Sequence, residues 1–158
     1  MSLALTAALL APNWTVQIDP LTTALGFAHV QVERALAPNW SVYLGPSLRL
    51  FNPPFGDQHD LTGLGAEAGV RWFFRPEAPA GFWLGARGVL AHLSTEARGR
   101  EETGLGGYGS VLGGHTWILG GWCVLAAGLG VQYLHYTVGG EGPEGILPAA
   151  HTTFGVAF

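Results

Sequence analysis

The chain contains no lysine, one cysteine and little charge of either sign. Seven arginines stand against eleven acidic residues, a net charge of −4, and charged residues make up 11% of the 158. Soluble domains carry roughly 25%, so a water-covered surface of this size would need more. The acidic balance, with no cluster of arginines to replace phosphate counterions, excludes a nucleic-acid partner. The single thiol, Cys123, excludes an intramolecular disulfide framework and cysteine-rich zinc sites. It reads as a small apolar residue on a buried or lipid-facing surface. A basic segment is also missing before Leu3–Ala11, L-A-L-T-A-A-L-L-A, which has the composition of a signal-peptide core. Residues 1–13 therefore read as a trimmed signal remnant, a start-site artefact or a frayed end, and 14–158 as one domain.

What is present is apolar and rich in turns. Hydrophobic residues make up 48%, with six Trp, which excludes disorder; Gly and Pro together number 35 without a collagen period. A hydropathy window marks Thr116–Leu134 as long enough for a membrane helix, at about 20 residues. Gly120, Gly121, Gly128 and Gly130 weaken a helix there, and Gly120-Gly121 reads as a hairpin turn. Elsewhere the apolar period is two. Trp40, Val42, Leu44, Pro46, Leu48 and Leu50 share one face; Ser41, Tyr43, Gly45, Ser47 and Arg49 share the other. Leu64, Ala66, Ala68, Val70, Trp72 and Phe74 oppose Gly63, Gly65, Glu67, Gly69 and Arg71. Ala150, Thr152, Phe154, Val156 and Phe158 oppose His151, Thr153, Gly155 and Ala157. This is strand alternation. The polar faces are small and sparsely charged, and the apolar faces are broad and tipped with aromatics. That is an inside-out pattern, with lipid outside and a narrow packed interior. A lipocalin-like soluble barrel is the competing reading, and the scarcity of charge counts against it.

Turn signals cut the chain at Ala37-Pro38-Asn39, at 76–81 and around Gly120-Gly121. Longer polar segments lie at 53–60, 96–103 and 138–147. Short and long connections alternate, as in outer-membrane barrels. The strand segments are 22–36, 39–52, 61–75, 81–95, 104–118, 121–137 and 147–158. Bacterial barrels use even strand numbers. Trp14–Asp19, W-T-V-Q-I-D, supplies the eighth, turning at Pro20-Leu21-Thr22; the alternative is one long bulged strand over 14–36.

Several segments carry a family resemblance. Phe158 closing an alternating strand, with Phe154 and Val156 on its face, resembles the C-terminal assembly signal of bacterial outer-membrane barrels. Asp19-Pro20-Leu21, then Val30–Leu36, V-Q-V-E-R-A-L, and Pro38 resemble the opening of a family of small outer-membrane barrels of unassigned function. Gly65–Phe74, G-A-E-A-G-V-R-W-F-F, and Gly81-Phe82-Trp83-Leu84-Gly85 fit the same family. The resemblance covers most of the chain after Trp14. It implies a small monomeric barrel of the OmpA, OmpX and OmpW kind and carries no reaction.

Four constellations are candidates for function. Glu67, Arg71, Arg49, Arg87 and Glu33 fall on Gly-rich faces. The interior of an eight-stranded barrel is just wide enough for side chains to fill it, and buried charges there must pair. The expectation is an Arg–Glu network centred on Glu67 and flanked by Arg71 and Arg49, acting as a plug or else as a narrow ion path. The six histidines, His29, His59, His92, His115, His135 and His151, show no H-x-H, H-x-x-x-H or H-E-x-x-H spacing, so they read as interfacial or lumenal side chains and no metal site is expected. His92 and Ser94 share a face near Glu96, Glu101 and Glu102, which faintly resembles the outer-membrane lipid A deacylases. Thr95 stands where that family has asparagine, and the set lies mid-chain rather than toward the C-terminus. Finally, Trp14, Trp40, Trp72, Phe73, Phe74, Phe82, Trp83, Trp117 and Trp122 lie beside short turns and read as a periplasmic interfacial girdle.

The sequence thus predicts an all-β, eight-stranded antiparallel up-and-down transmembrane β-barrel in a bacterial outer membrane, with no cofactor. Its expected partners are the lipid bilayer, with lipopolysaccharide at the loops, the barrel assembly machinery, and a protein meeting loops 53–60, 96–103 or 138–147. The leading expectation for its role is a non-enzymatic barrel, structural or interacting through its loops. A narrow pore and a lipid-modifying hydrolase are the alternatives.

Overall fold

A computed structural model describes residues 12–24, 27–50, 61–97, 100–136 and 144–158, with backbone alone at 24, 27, 50, 61, 95–97 and 100–102. Eight strands appear: β1 (Trp14–Ile18), β2 (Phe27–Ala37), β3 (Trp40–Leu50), β4 (Leu61–Phe73), β5 (Gly81–Ala97), β6 (Arg100–Leu119), β7 (Cys123–His135) and β8 (Glu144–Ala157). Each pairs antiparallel with its sequence neighbours, and β1 pairs with β8 to close the barrel. Closure removes the sheet edges that an open sheet would leave unpaired. At the seam, Trp14 N donates to Phe158 O at 3.0 Å and Phe158 N donates to Trp14 O at 2.9 Å.

Residues 14–36 form two strands joined by a short helix, α1 (Pro20–Ala24), where the sequence suggested a turn. Asp19 caps it: its Oδ1 accepts from Thr22 N at 3.0 Å, and Pro20 sits at the first helical position, where its missing N–H is no loss. The apolar stretch Thr116–Leu134 is the β6–β7 hairpin. Gly120 and Gly121 have φ of +60° and +79°, and Trp122 N donates to Leu119 O at 3.3 Å across them. Two successive positive φ values define the mirror-image turn that suits strand twist and favours glycine.

Strand ends depart from the sequence expectation at the long-connection end. The segment 96–103 was expected as a loop, yet β5 runs to Ala97 and β6 starts at Arg100, at lengths of 17 and 20 residues. Their backbones pair through Glu96↔Glu101 and Ala97↔Arg100, so charge there marks a hairpin tip rather than the end of pairing. Likewise β8 starts at Glu144, inside the expected loop 138–147. Loop 53–60, His59, the remainder of 138–147 and the signal-like Leu3–Ala11 lie outside the described residues.

Alternation sorts the side chains into a wall and a lumen. Leu44, Leu64, Leu90, Leu105, Val111, Leu129, Val131 and Ile146 are exposed on the outer wall. Thr15, Gln17, Gln31, Glu33, Ser41, Arg49, Glu67, Arg71, Arg87 and Thr153 are buried inside. Apolar residues outside and polar residues inside reverse the order of a soluble sheet. The lumen also holds two apolar clusters: Phe73, Trp83, Leu112 and Ala149, and Val89, Ala91, Leu93, Tyr108 and Tyr136.

Candidate functional site: the lumenal charge network

The lumen contains two buried polar layers, and they are not arranged as the sequence suggested. In the layer nearer the short turns, Glu33 on β2 is the hub. Arg71 Nη1 donates to its Oε2 at 2.6 Å, Gln17 Nε2 to the same oxygen at 2.9 Å, and Ser41 Oγ to Oε1 at 2.5 Å. Thr153 Oγ1 in turn donates to Gln17 Oε1. Both partners of the Glu33–Arg71 pair are fully buried. Arg71 also lies 4.7 Å from the Tyr43 ring centre and 4.8 Å from that of Trp83, and the Tyr43 ring fills the space where a side chain on Gly69 would stand.

His151 on β8 joins the layers. Its Nε2 lies 2.7 Å from Arg71 Nη2; its Nδ1 lies 3.0 Å from Arg87 Nη1 and 3.5 Å from Asp19 Oδ2. A neutral imidazole has one acceptor nitrogen. A neutral ring therefore accepts from only one of the two arginines, and in the tautomer that accepts from Arg71 at Nε2 the Nδ1–H faces Asp19 and Arg87. Arg87 also faces Glu67 Oε2, its charge partner, at 3.9 Å, donates from Nε to Ser110 Oγ at 3.4 Å, and lies 5.0 Å from the Tyr108 ring centre.

The expected centre at Glu67 is therefore corrected. Arg71 pairs with Glu33, not Glu67, and Arg49 stacks 3.2 Å from the Tyr136 ring centre. Glu67 instead lies 3.4 Å from His29 Nδ1. The reason is geometric. Positions 67 and 71 share a face of β4 but lie four residues apart, roughly 13 Å along a strand. The register places Ser41 opposite Arg71 and beside Ala35 of β2, which brings Arg71 to Glu33 across β3. Buried charges among the described residues balance: Arg49, Arg71 and Arg87 against Asp19, Glu33 and Glu67.

Of the aromatic set, Trp14, Trp40, Trp72, Phe74, Phe82, Trp117 and Trp122 project outward at the short-turn end. Trp72 meets Phe74 at 5.1 Å, and His115 sits between Phe82 (4.4 Å) and Trp117 (4.5 Å). Arg34 lies 4.9 Å above the Trp14 ring. Trp83 and Phe73 are corrections. Both point into the lumen, Trp83 with 2% exposure, because odd numbers face inward on β4 and β5. Trp83 Nε1 donates to Thr116 Oγ1 at 3.0 Å. Trp83→Phe should accordingly lower the unfolding free energy by about 1 kcal/mol, the net value of a buried hydrogen bond, and Thr116→Val should add little to it in the double variant. Urea titrations in detergent check both.

His92 and Ser94 stand on the outer wall. Ser94 Oγ lies 3.4 Å from Thr62 Oγ1, and among the described residues no hydrogen bond joins His92 to Ser94. The side chains of Glu96, Glu101 and Glu102 lie outside the described set. No group of three or more metal-ligating side chains occurs among the described residues. Phe154, Val156 and Phe158 line the outer wall beside the seam. His29 and His151 lie in the lumen, one of the two placements expected for the histidines, and Asp19 is the lumenal group that the sequence reading does not name. Parity held the signal: 19 follows 15 and 17 inward, 29 follows 31 and 33, and 151 follows 153.

A closed, eight-stranded up-and-down barrel with an apolar wall and a polar filled lumen defines the class of small outer-membrane-type barrels. The crystal structure of Neisserial surface protein A (NspA) is similar, with a TM-score of 0.56 at 15% identity, covering 92% of each chain. At that identity the likeness is one of fold. No family model matches the chain, and no curated protein matches it at a significant level.

Proposed function

We propose that the chain is a non-enzymatic outer-membrane barrel, closed to ions, that acts structurally or through the connections at its long end. The observation that carries this reading is the neutral, directly hydrogen-bonded layer of Glu33, Arg71, Gln17, Ser41, Thr153 and His151 across the lumen. Apolar residues on the wall and outward aromatics at the short-turn end suit lipid contact with that end in the periplasm. The similarity in fold to Neisserial surface protein A agrees with this placement. On this reading lipopolysaccharide and a partner protein meet the chain at 53–60, 96–103 and 138–147. The assembly machinery reads Phe154, Val156 and Phe158.

Planar-bilayer recording tests the closed lumen. The expected result is no stepwise conductance from protein whose gel mobility shifts on boiling, the mark of a folded barrel. Steady conductance would favour the narrow-pore reading instead. A lipid-hydrolase activity that disappears in Ser94→Ala would replace both with an enzyme.

A further inference from the structure

The second polar layer of the lumen is unlike the first. His29, Gln31 and Glu67 are 3%, 1% and 2% exposed. Among the described residues, neither end of the Gln31 amide, neither ring nitrogen of His29 and neither oxygen of Glu67 has a hydrogen-bond partner in the protein. Asp19 Oδ2 is in the same state. The contacts of Glu67 with His29, at 3.4 Å, and with Arg87, at 3.9 Å, are too long to be direct hydrogen bonds of ordinary geometry. Buried polar atoms go unpaired rarely, and each such atom is costly. Here they are neighbours: Gln31 lies against Gly45, the register partner of Glu67, and Glu67 lies 3.4 Å from His29. They include acceptors on Glu67 and Asp19, donors and acceptors on Gln31, and both ring nitrogens of His29. Water, which donates and accepts at once, complements a mixed set of this kind.

The level is bounded on both sides. Toward the short turns lies the Glu33–Arg71–His151 layer, in which protein groups bond one another directly. Toward the other end Arg49 stacks on Tyr136, and Leu93 packs with Tyr136 and Tyr108. We propose that His29, Gln31 and Glu67 line an occluded, water-filled chamber, sealed inward by the Glu33–Arg71–His151 layer and outward by the Arg49–Tyr136 stack. The inference deepens the closed-lumen reading and rests on it. It makes the lumen a pair of closures with solvent between them, not one continuous plug. Its ligand is water, and small hydrogen-bonding solutes reach the chamber only when the outer closure is removed.

A crystal structure of the full chain that resolves ordered solvent tests the chamber directly. The expected result is two or more waters bridging Gln31, Glu67 and His29. Gln31 or His29 bonded directly to Glu67, with no water between them, would overturn the proposal. Thiol labelling tests the outer closure, in a Cys123→Ser background with Ser47→Cys as reporter. Ser47 is buried in the lumen opposite His29. A small cationic methanethiosulfonate should label this cysteine slowly with Tyr136 in place, and at least tenfold faster after Tyr136→Ala. Arg49→Ala serves as the second variant, and heat-shifted gel mobility confirms that each is folded. An unchanged rate in both folded variants would overturn the outer closure. These readouts are separate from conductance. A barrel that conducts would defeat the closed-lumen reading whatever the solvent shows, and a dry chamber in a non-conducting barrel would defeat this inference alone.

Discussion

Glu33→Ala is expected to lower the unfolding free energy by about 3–5 kcal/mol, the cost of stripping one partner from a buried ion pair. Urea unfolding of the detergent-solubilised barrel reads it, through loss of the compact band and of the strand signal in circular dichroism. The size follows from what is left behind. Arg71 would keep its charge in a site with essentially no solvent exposure, with His151 Nε2 as its remaining close polar contact. The Gln17 amide would lose one of its two acceptors, keeping Thr15 Oγ1, and the Ser41 hydroxyl would lose its bond to Glu33 at the same time. Glu67→Ala should cost less, because Glu67 accepts no direct hydrogen bond and its neighbours His29 and Arg87 lie at 3.4 Å and 3.9 Å. The order of the two variants is the test. If Glu67→Ala proves the more damaging, the network is centred where the sequence suggested. A second step separates charge from packing. Adding Arg71→Met to Glu33→Ala removes the stranded cation, and should recover part of the loss, since buried pairs replaced by apolar groups are often neutral.

The difference between Glu33 and Glu67 also marks how far the sequence could be read. Period-two alternation told inside from outside on β3, β4 and β8, because one register fixes every side chain on a strand. Glycine pairs and proline placed the short turns, because those residues answer to backbone geometry alone. Even parity called for an eighth strand, and Trp14–Ile18 is that strand. What alternation along one strand cannot carry is the stagger between strands. Closing eight strands requires tilt and shear, and shear decided that Arg71 meets Glu33 rather than Glu67. Trp83 departs from the girdle for a simpler reason: its parity with Gly85 and Arg87 turns it into the lumen even beside a short turn. The β5–β6 hairpin is longer than expected because the charged segment 96–103 looks like a solvated loop, whereas backbone pairing extends to Ala97↔Arg100. The partners His151 and Asp19 come from β8 and from the end of β1. They become neighbours only once the first and last strands meet.

Leu129→Arg is the second large effect expected, and it probes the wall instead of the lumen. Leu129 is the midpoint of β7 and is 73% exposed on the outer face. If hydrocarbon surrounds it, an arginine there costs about 2–4 kcal/mol, falling to about 0–1 kcal/mol near the interfaces. The same change at Leu119, exposed at the end of β6 beside the short turn, should therefore cost far less. In a water-surrounded barrel neither substitution touches a packed core, and both would stay within about 0.5 kcal/mol of the parent. Folding equilibria measured in lipid vesicles give the two values directly. A steep difference between midpoint and rim cannot come from lost packing, because both leucines leave the lumen untouched. It can come only from the depth-dependent cost of taking a guanidinium out of water. Equal, small effects at both positions would mean that the apolar wall faces water. The outward aromatics at the short turns would then need another explanation.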